Sequence, residues 1–267
     1  MRILFTAFVV LFFIVLYGPT FLLPIFAFND SSIVAFPLGG FTYQWFVELW
    51  NTQALKDAAF NSLLIASVVA VVSTCLAMFA SRASTAYRFR GQGAAMGLIM
   101  VPMVLPEIIV GVSLLVVILQ LGLPLSIWTI ILGHVLICTP FCIAILRASF
   151  QQLDPSLEEA SLDLGQSRIN TFFLVTLPLL MPSVISSLLI AFIISLDEFV
   201  IAFFLSGTEP TLPVYIWSQL RFPQKIPSVM ALGTILLVLS VLLLSLSEFF
   251  RRRGARKTGA SFLETAT

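Results

Sequence analysis

Apolar runs long enough to cross a bilayer recur along this chain, and they leave few ways for it to fold. A helix needs about 20 apolar residues to cross the hydrocarbon. Six stretches meet that test, at roughly 3–28, 58–81, 94–120, 125–146, 181–205 and 228–250. Only helices fit, because isolated strands would leave backbone groups unpaired in lipid. The chain is 59% hydrophobic and only 10% charged, with a mean hydropathy of +1.07. Soluble domains carry about a quarter charged residues, so a water-soluble globule is excluded. The expected fold class is therefore all-α, a polytopic membrane protein with six transmembrane helices. The first run exceeds a signal-peptide core of about 7–15 residues and reads as a retained span. Pro19 and Pro24 within it are tolerable, since neighbouring helices re-satisfy freed backbone groups. Gly122-Leu123-Pro124 reads as a tight turn between the third and fourth spans.

The basic residues set the orientation. With the N-terminus inside, Arg2, Arg82, Arg88, Arg90, Arg147, Arg168, Arg251, Arg252, Arg253, Arg256 and Lys257 fall on the cytoplasmic side. Lys56, Arg221 and Lys225 fall outside. Eleven against three places both termini and the 147–180 loop in the cytoplasm. Residues 1–57 then form an N-terminal span and outer loop, 58–250 a five-span core containing the cytoplasmic loop, and 251–267 a basic tail. Gly91, Gly93, Ala94, Ala95 and Gly97 open the third span and suit close helix packing. Cys75, Cys138 and Cys142 show no metal-binding spacing and read as buried thiols. No G-x-x-x-x-G-K-[ST] phosphate loop occurs, so the chain itself is not expected to hydrolyse ATP. His134, the one histidine, reads as a hydrogen-bonded packing residue.

One polar stretch interrupts the core. Residues 154–170 hold Asp154, Glu158, Glu159 and Asp163, four of the thirteen acids. Ser156-Leu-Glu-Glu159 reads as a capping box, with Pro155 suited to a helix start. Leu157, Ala160, Ser161 and Leu164 recur at helical spacing, giving a short amphipathic helix with an apolar-to-small face. Gly165 ends it, being free to adopt left-handed geometry. A second short helix is expected from about Ser167 to Thr176, leading to Leu177-Pro178. Such an elbow can enter a groove on a partner, or it can be a solvated loop kept out of lipid by its charges.

The run Glu159-Ala160-Ser161-x3-Gly165-x9-Val175-x-Leu177-Pro178 resembles the EAA motif of ABC importer permeases, Glu-Ala-Ala-x3-Gly-x9-Ile-x-Leu-Pro. Ser161 replaces the second Ala and Val175 the Ile. The resemblance implies a type I ABC importer permease fold, with this loop as the coupling helix seated in a cleft of a separate ATPase subunit. Glu158, Glu159, Ala160, Ser161, Asp163, Gly165, Arg168, Leu177 and Pro178 are the coupling candidates.

Glu107, Asp197 and Glu198 fall inside predicted spans, where an ionised carboxylate costs about 2.5–3.5 kcal/mol on insertion scales and marks a path. No Lys or Arg is expected at that depth, which points to a cationic cargo; protonation, or a basic residue on another subunit, would also relieve the charge. Asp197 and Glu198 stand about 100° apart on a helix, so only one is expected to face the path squarely. Tyr215 and Trp217 are either interfacial anchors or cation–π walls of the entry. Pro106-Glu107-Ile-Ile-Val-Gly111, Asp197-Glu198-Phe-Val, Thr211-Leu-Pro213 and Ala231-Leu-Gly-Thr-Ile235 are similar to segments of spermidine/putrescine permeases. In that family the paired acids are commonly two aspartates, so Glu198 departs from it.

The resemblance implies one permease subunit of a bacterial inner-membrane importer of polyamines or related cationic amines. Its expected partners are a homologous permease subunit, two ATPase subunits, a periplasmic substrate-binding protein and the lipid bilayer. No nucleic acid, metal or resident cofactor is expected, ATP–Mg belonging to the ATPase, and no covalent chemistry. A permease for opines or amino-acid-like amines is an alternative. An ion-gradient carrier is weakened by the absence of a visible internal repeat. A scaffold subunit would carry no cargo, and an anion importer would want basic groups where acids stand.

Overall fold

The structure is a computed structural model and describes residues 2–238, 241 and 242. In chain order its helices are α1 (Arg2–Ala27), α2 (Gln44–Asn51), α3 (Gln53–Ala86), α4 (Gln92–Met100) and α5 (Glu107–Gln120). There follow α6 (Ile127–Gln152), α7 (Pro155–Asp163), α8 (Arg168–Asp197), α9 (Val200–Leu205), α10 (Leu212–Gln219) and α11 (Pro223–Val238). Among the described residues the β pairing is one bridge, Asn29 with Phe41, so the fold is all-α as expected. The described helices include four long and apolar enough to span a membrane, or five if the bent α4–α5 pair counts as one span. The expected sixth span over 228–250 runs beyond the described residues, as does the basic tail.

Two compact units result, one of residues up to Gln53 with those from Ile216 onward, the other of Ala54–Tyr215. In the first, α1 exposes apolar side chains around most of its length, as suits a helix solvated by hydrocarbon. The loop after it is fixed by Asn29, whose Oδ1 accepts from Gly39 N–H at 2.8 Å, while Trp45 Nε1 donates to its carbonyl at 2.9 Å. Glu48 on α2 is held by Lys225 and by the Ser228 hydroxyl at 3.0 Å.

The second unit is built on α6 packed against α8. From Ser183 to Ser195 every fourth residue of α8 is small, and each finds a partner on α6. Ser149 Oγ donates to Ser183 Oγ at 2.7 Å, Cys142 Sγ to the Ser187 carbonyl at 3.8 Å and Cys138 Sγ to the Ala191 carbonyl at 3.7 Å. His134 Nδ1 lies 2.8 Å from Ser195 Oγ, fully buried, which is the packing role expected of it. Cys138 and Cys142 are likewise buried; Cys75 is exposed, which corrects the expectation that all three thiols are enclosed.

Two expected spans are broken. The run 94–120 bends by 103° between Met103 and Glu107. Pro102 sits in a 3₁₀ turn, and Pro106 bars the preceding residue from helical geometry, so α4 cannot continue into α5. The run 181–205 instead begins at Arg168 and stops at Asp197, with Glu198 extended before α9. Short α9 buries one side, with Ile201, Ala202 and Leu205 fully enclosed. A Cβ added at Gly133 would come within 2.5 Å of Ile201 Cγ2, so only glycine lets α9 lie this close to α6.

Candidate functional site

The elbow is where the sequence placed it, with its start shifted. Asp154, not Ser156, caps α7: its Oδ1 accepts from Ser156 N–H at 3.0 Å, and Pro155 takes the first helical position. The bond from Ser156 holds the Asp154 carboxyl below its usual range. A proline fits that first position because its missing N–H would be unpaired there anyway, and this fixes the cap one residue earlier. Gly165 stands at φ +84°, and Gln166 N–H reaches back to the Ser161 carbonyl at 3.2 Å, closing the helix end.

Ser167 then caps the next helix, accepting from Asn170 N–H at 3.2 Å. This helix is not the separate short piece expected over Ser167–Thr176. It widens into a π segment at Phe172–Thr176 and runs on unbroken as α8, with Leu177 and Pro178 inside it. Pro178 removes one donor and crowds the preceding turn, a demand the wider turn accommodates.

The inner side of α7 is stitched to the spans. Glu158 receives a two-pronged bond from Arg82 near the end of α3, Nη1 to Oε1 at 2.9 Å and Nη2 to Oε2 at 2.7 Å. Thr176, at the end of the π segment, donates to the same carboxylate at 2.5 Å. Partial burial pushes the Glu158 carboxyl up, but the bonds from Arg82 and Thr176 outweigh it and hold it below its ordinary value. The Arg82 guanidinium also lies 5.9 Å from the Phe150 ring centre on α6. Ser161 Oγ meets Thr171 Oγ1 at 3.0 Å, both buried. Leu157, Ala160, Leu164, Glu159, Asp163 and Arg168 are exposed, so the expected apolar-to-small face divides: Ser161 turns inward and the others outward. Leu164 at 85% and Ile169 at 70% exposure give the tip an apolar character. Sequence reasoning missed Arg82, Thr171 and Thr176 as parts of the elbow. Arg82 is 76 positions from its partner, and no local pattern joins the two.

The acids expected within spans stand instead at helix ends made by the breaks. Glu107 is the first residue of α5 and exposed; Asp197 is the last of α8 and exposed. Glu198 lies in the gap at 7% exposure, its Oε1 accepting from Ile201 N–H at 2.8 Å in the first turn of α9. Glu107 and Glu198 are within electrostatic range of one another. A carboxylate is favoured at a helix N-terminus by the unpaired N–H groups and the aligned dipoles, which lowers the cost of holding charge there. Tyr215 and Trp217 lie on α10, half-buried and 47% exposed respectively. The start of α10 is tied to α3, since Ser62 Oγ accepts from Leu212 N–H at 2.8 Å and Asn61 Nδ2 donates to the Pro210 carbonyl at 3.2 Å.

Residues 73–256 match the family described as "Binding-protein-dependent transport system inner membrane component". The "Putrescine transport system permease protein PotI" of Escherichia coli (strain K12) is 37% identical over 233 residues, 83% of this chain and 81% of that protein. The "Spermidine/putrescine transport system permease protein PotC" of Haemophilus influenzae is 35% identical over 215 residues, 80% of this chain and 83% of that one. Among solved structures, a chain of a bacterial ABC transporter "involved in the import of the acidic polysaccharide alginate" superposes with TM-score 0.73 at 15% identity, covering 91% of this chain and 95% of that chain. An alginate transporter in complex with a periplasmic protein bound to alginate pentasaccharide gives 0.70 at 18% identity, covering 92% of this chain and 91% of that chain. At these identities the likeness is one of fold.

Proposed function

The chain belongs to the family of binding-protein-dependent transport system inner membrane components, and on that premise we propose that it is the permease subunit of an ATP-driven importer of polyamines or related cationic amines. The observation that carries the coupling half of this reading is the stitched elbow. One helical turn is fastened by Glu158 to α3 and to the root of α8, while its outer side is left to a partner. In this reading a separate ATPase subunit receives Leu164 and the turn at Gly165, with Glu159, Ala160, Asp163 and Arg168 around them. Leu177 and Pro178, inside α8, carry the displacement along that helix. Nucleotide binding closes two such ATPases, and the elbows bias the spans between inward- and outward-facing states. A second, homologous permease completes the path, and a binding protein outside delivers the cargo. The elbow end faces the cytoplasm, in keeping with the distribution of basic residues.

The cargo half rests on the relatives named for putrescine and spermidine and on the acids at the breaks. Glu107 and Glu198 supply negative charge where two helices start, and ammonium groups would exchange water for those carboxylates. Tyr215 would offer a cation–π wall to the entry, and Asp197 is the more exposed member of its pair. Glu198 in place of an aspartate keeps amino-acid-like amines or opines as a second reading. The test is reconstitution of the copurified complex in vesicles with a panel of radiolabelled amines. ATP-dependent uptake of putrescine or spermidine is expected. A complex that lacks an ATPase, or that carries only uncharged or anionic cargo, overturns the assignment.

A further inference from the structure

Arg147 is five residues before the end of α6 and lines a cleft of about 530 Å³ with Gln92, Gly93, Met96, Gly97 and Met100 of α4. Its Nε is buried and has no hydrogen-bond partner among the described residues. Arg147 as a whole is half-buried, but this one donor has lost water and gained no partner in exchange, which is costly. The cleft is open beside its two glycines, where a Cβ at Gly93 or at Gly97 would meet nothing within 4 Å. Its wall is also fixed, since Gln92 Nε2 donates to the Ser84 carbonyl at 2.5 Å. Exposed Arg88 and Arg90 stand just before α4, and no acid occurs between Asp57 and Glu107 or between Glu107 and Asp154. Arg82 does not add to this charge, being held by Glu158.

We propose that this cleft binds the phosphodiester headgroup of an anionic phospholipid. Depth favours a lipid over a free anion. Arg147 lies about 8 Å from its helix end, within reach of the band some 5–8 Å thick that separates hydrocarbon from water. The planar guanidinium offers paired donors to phosphate oxygens, and Arg88 with Arg90 adds attraction from the rim. The Met96 and Met100 side chains suit the glycerol and upper acyl carbons below the phosphate.

The experiment is lipid retention by the full-length chain purified with its copurifying subunits, after exposure to equal phosphatidylglycerol and phosphatidylcholine with matched acyl chains. The wild type is expected to retain phosphatidylglycerol selectively, and Arg147→Gln to lower that enrichment about fivefold, the loss of one basic contact at an anionic surface. Gly97→Leu, which fills the cleft and leaves the charge, is expected to lower it similarly, whereas Arg147→Lys keeps part of it. Wild-type enrichment in both Arg147→Gln and Gly97→Leu overturns the proposal. Displacement of the lipid by millimolar inorganic phosphate assigns a free-anion site and also overturns it. So does dissociation of a second permease chain in Arg147→Gln with lipid retention unchanged, which would mean that the guanidinium pairs with that subunit's carboxylate.

Discussion

The elbow and the acidic breaks both place carboxylates beside the membrane, but they neutralise them in opposite ways. At the elbow, Glu158 is matched by a full cation, the Arg82 fork, and the pair links three helices. At the breaks no such cation stands against Glu198 among the described residues; its carboxylate takes a backbone N–H of α9 instead. A matched pair is a fastener, because losing either partner strands the other. A carboxylate held only by a backbone N–H has its charge unmatched by a cation among the described residues, and Glu198 keeps 7% of its surface open. In the reading proposed above, the first region would transmit force and the second would meet the cargo.

The largest effect expected is from Gly165→Pro. Proline cannot reach φ +84°, and forcing it costs about 3 kcal/mol or more in local structure. ATP-driven uptake in vesicles should be abolished while the chain is still made and inserted; normal uptake would show that the elbow carries no force. Next comes the fastener itself. Arg82→Ala should destabilise the chain by about 1.5–3 kcal/mol, the range for bonds to charged groups. The swap Arg82→Glu with Glu158→Arg should recover part of this, and a double-mutant cycle without coupling energy would break the comparison. The pH dependence has a definite sign. Because the folded carboxyl of Glu158 lies below its ordinary 4.5, its contribution is complete above that value. It is lost as pH falls through the lower folded value. Thermal melts of the wild type should lose stability in that acidic window, and Glu158→Gln should lack this loss.

At the breaks, Glu198→Gln removes the charge but keeps an oxygen to accept from Ile201, so KM for cationic amines should rise with melting temperature held. Glu198→Ala removes the cap as well and should cost a further 1 kcal/mol or so. Equal transport by both would make Glu198 purely structural. A smaller effect separates the two candidate caps of α7. Asp154→Ala should cost about 1 kcal/mol and Ser156→Ala within about 0.5, read from thermal melts.

What the sequence made legible was local. Pro155 and Gly165 punctuate the elbow through backbone geometry alone, and the structure places a helix start and a turn at them, whereas Leu177-Pro178 lies inside an unbroken α8. The cap was misassigned because the capping-box spacing outweighed the position of Pro155, which points to Asp154. The Arg82–Glu158 fastener was invisible, since its partners meet only through folding. The break at 101–106 carried two prolines, yet a long hydropathy window reads across them. The break at Glu198 carried no glycine or proline at all. There the chain parts because α9 must drop onto Gly133, a close approach that sequence alone does not announce.

The row of small residues on α8 has a mechanical consequence. Ser183, Ser187, Ala191 and Ser195 meet their partners on α6 one helical turn after another, and parting the two helices would break all four contacts together. They are therefore two staves of one plank. A stroke arriving at Thr176 swings both together, and bending is left to the softer joints at their ends. Bridging them with Ser149→Cys and Ser183→Cys should accordingly leave the rate of uptake almost unchanged.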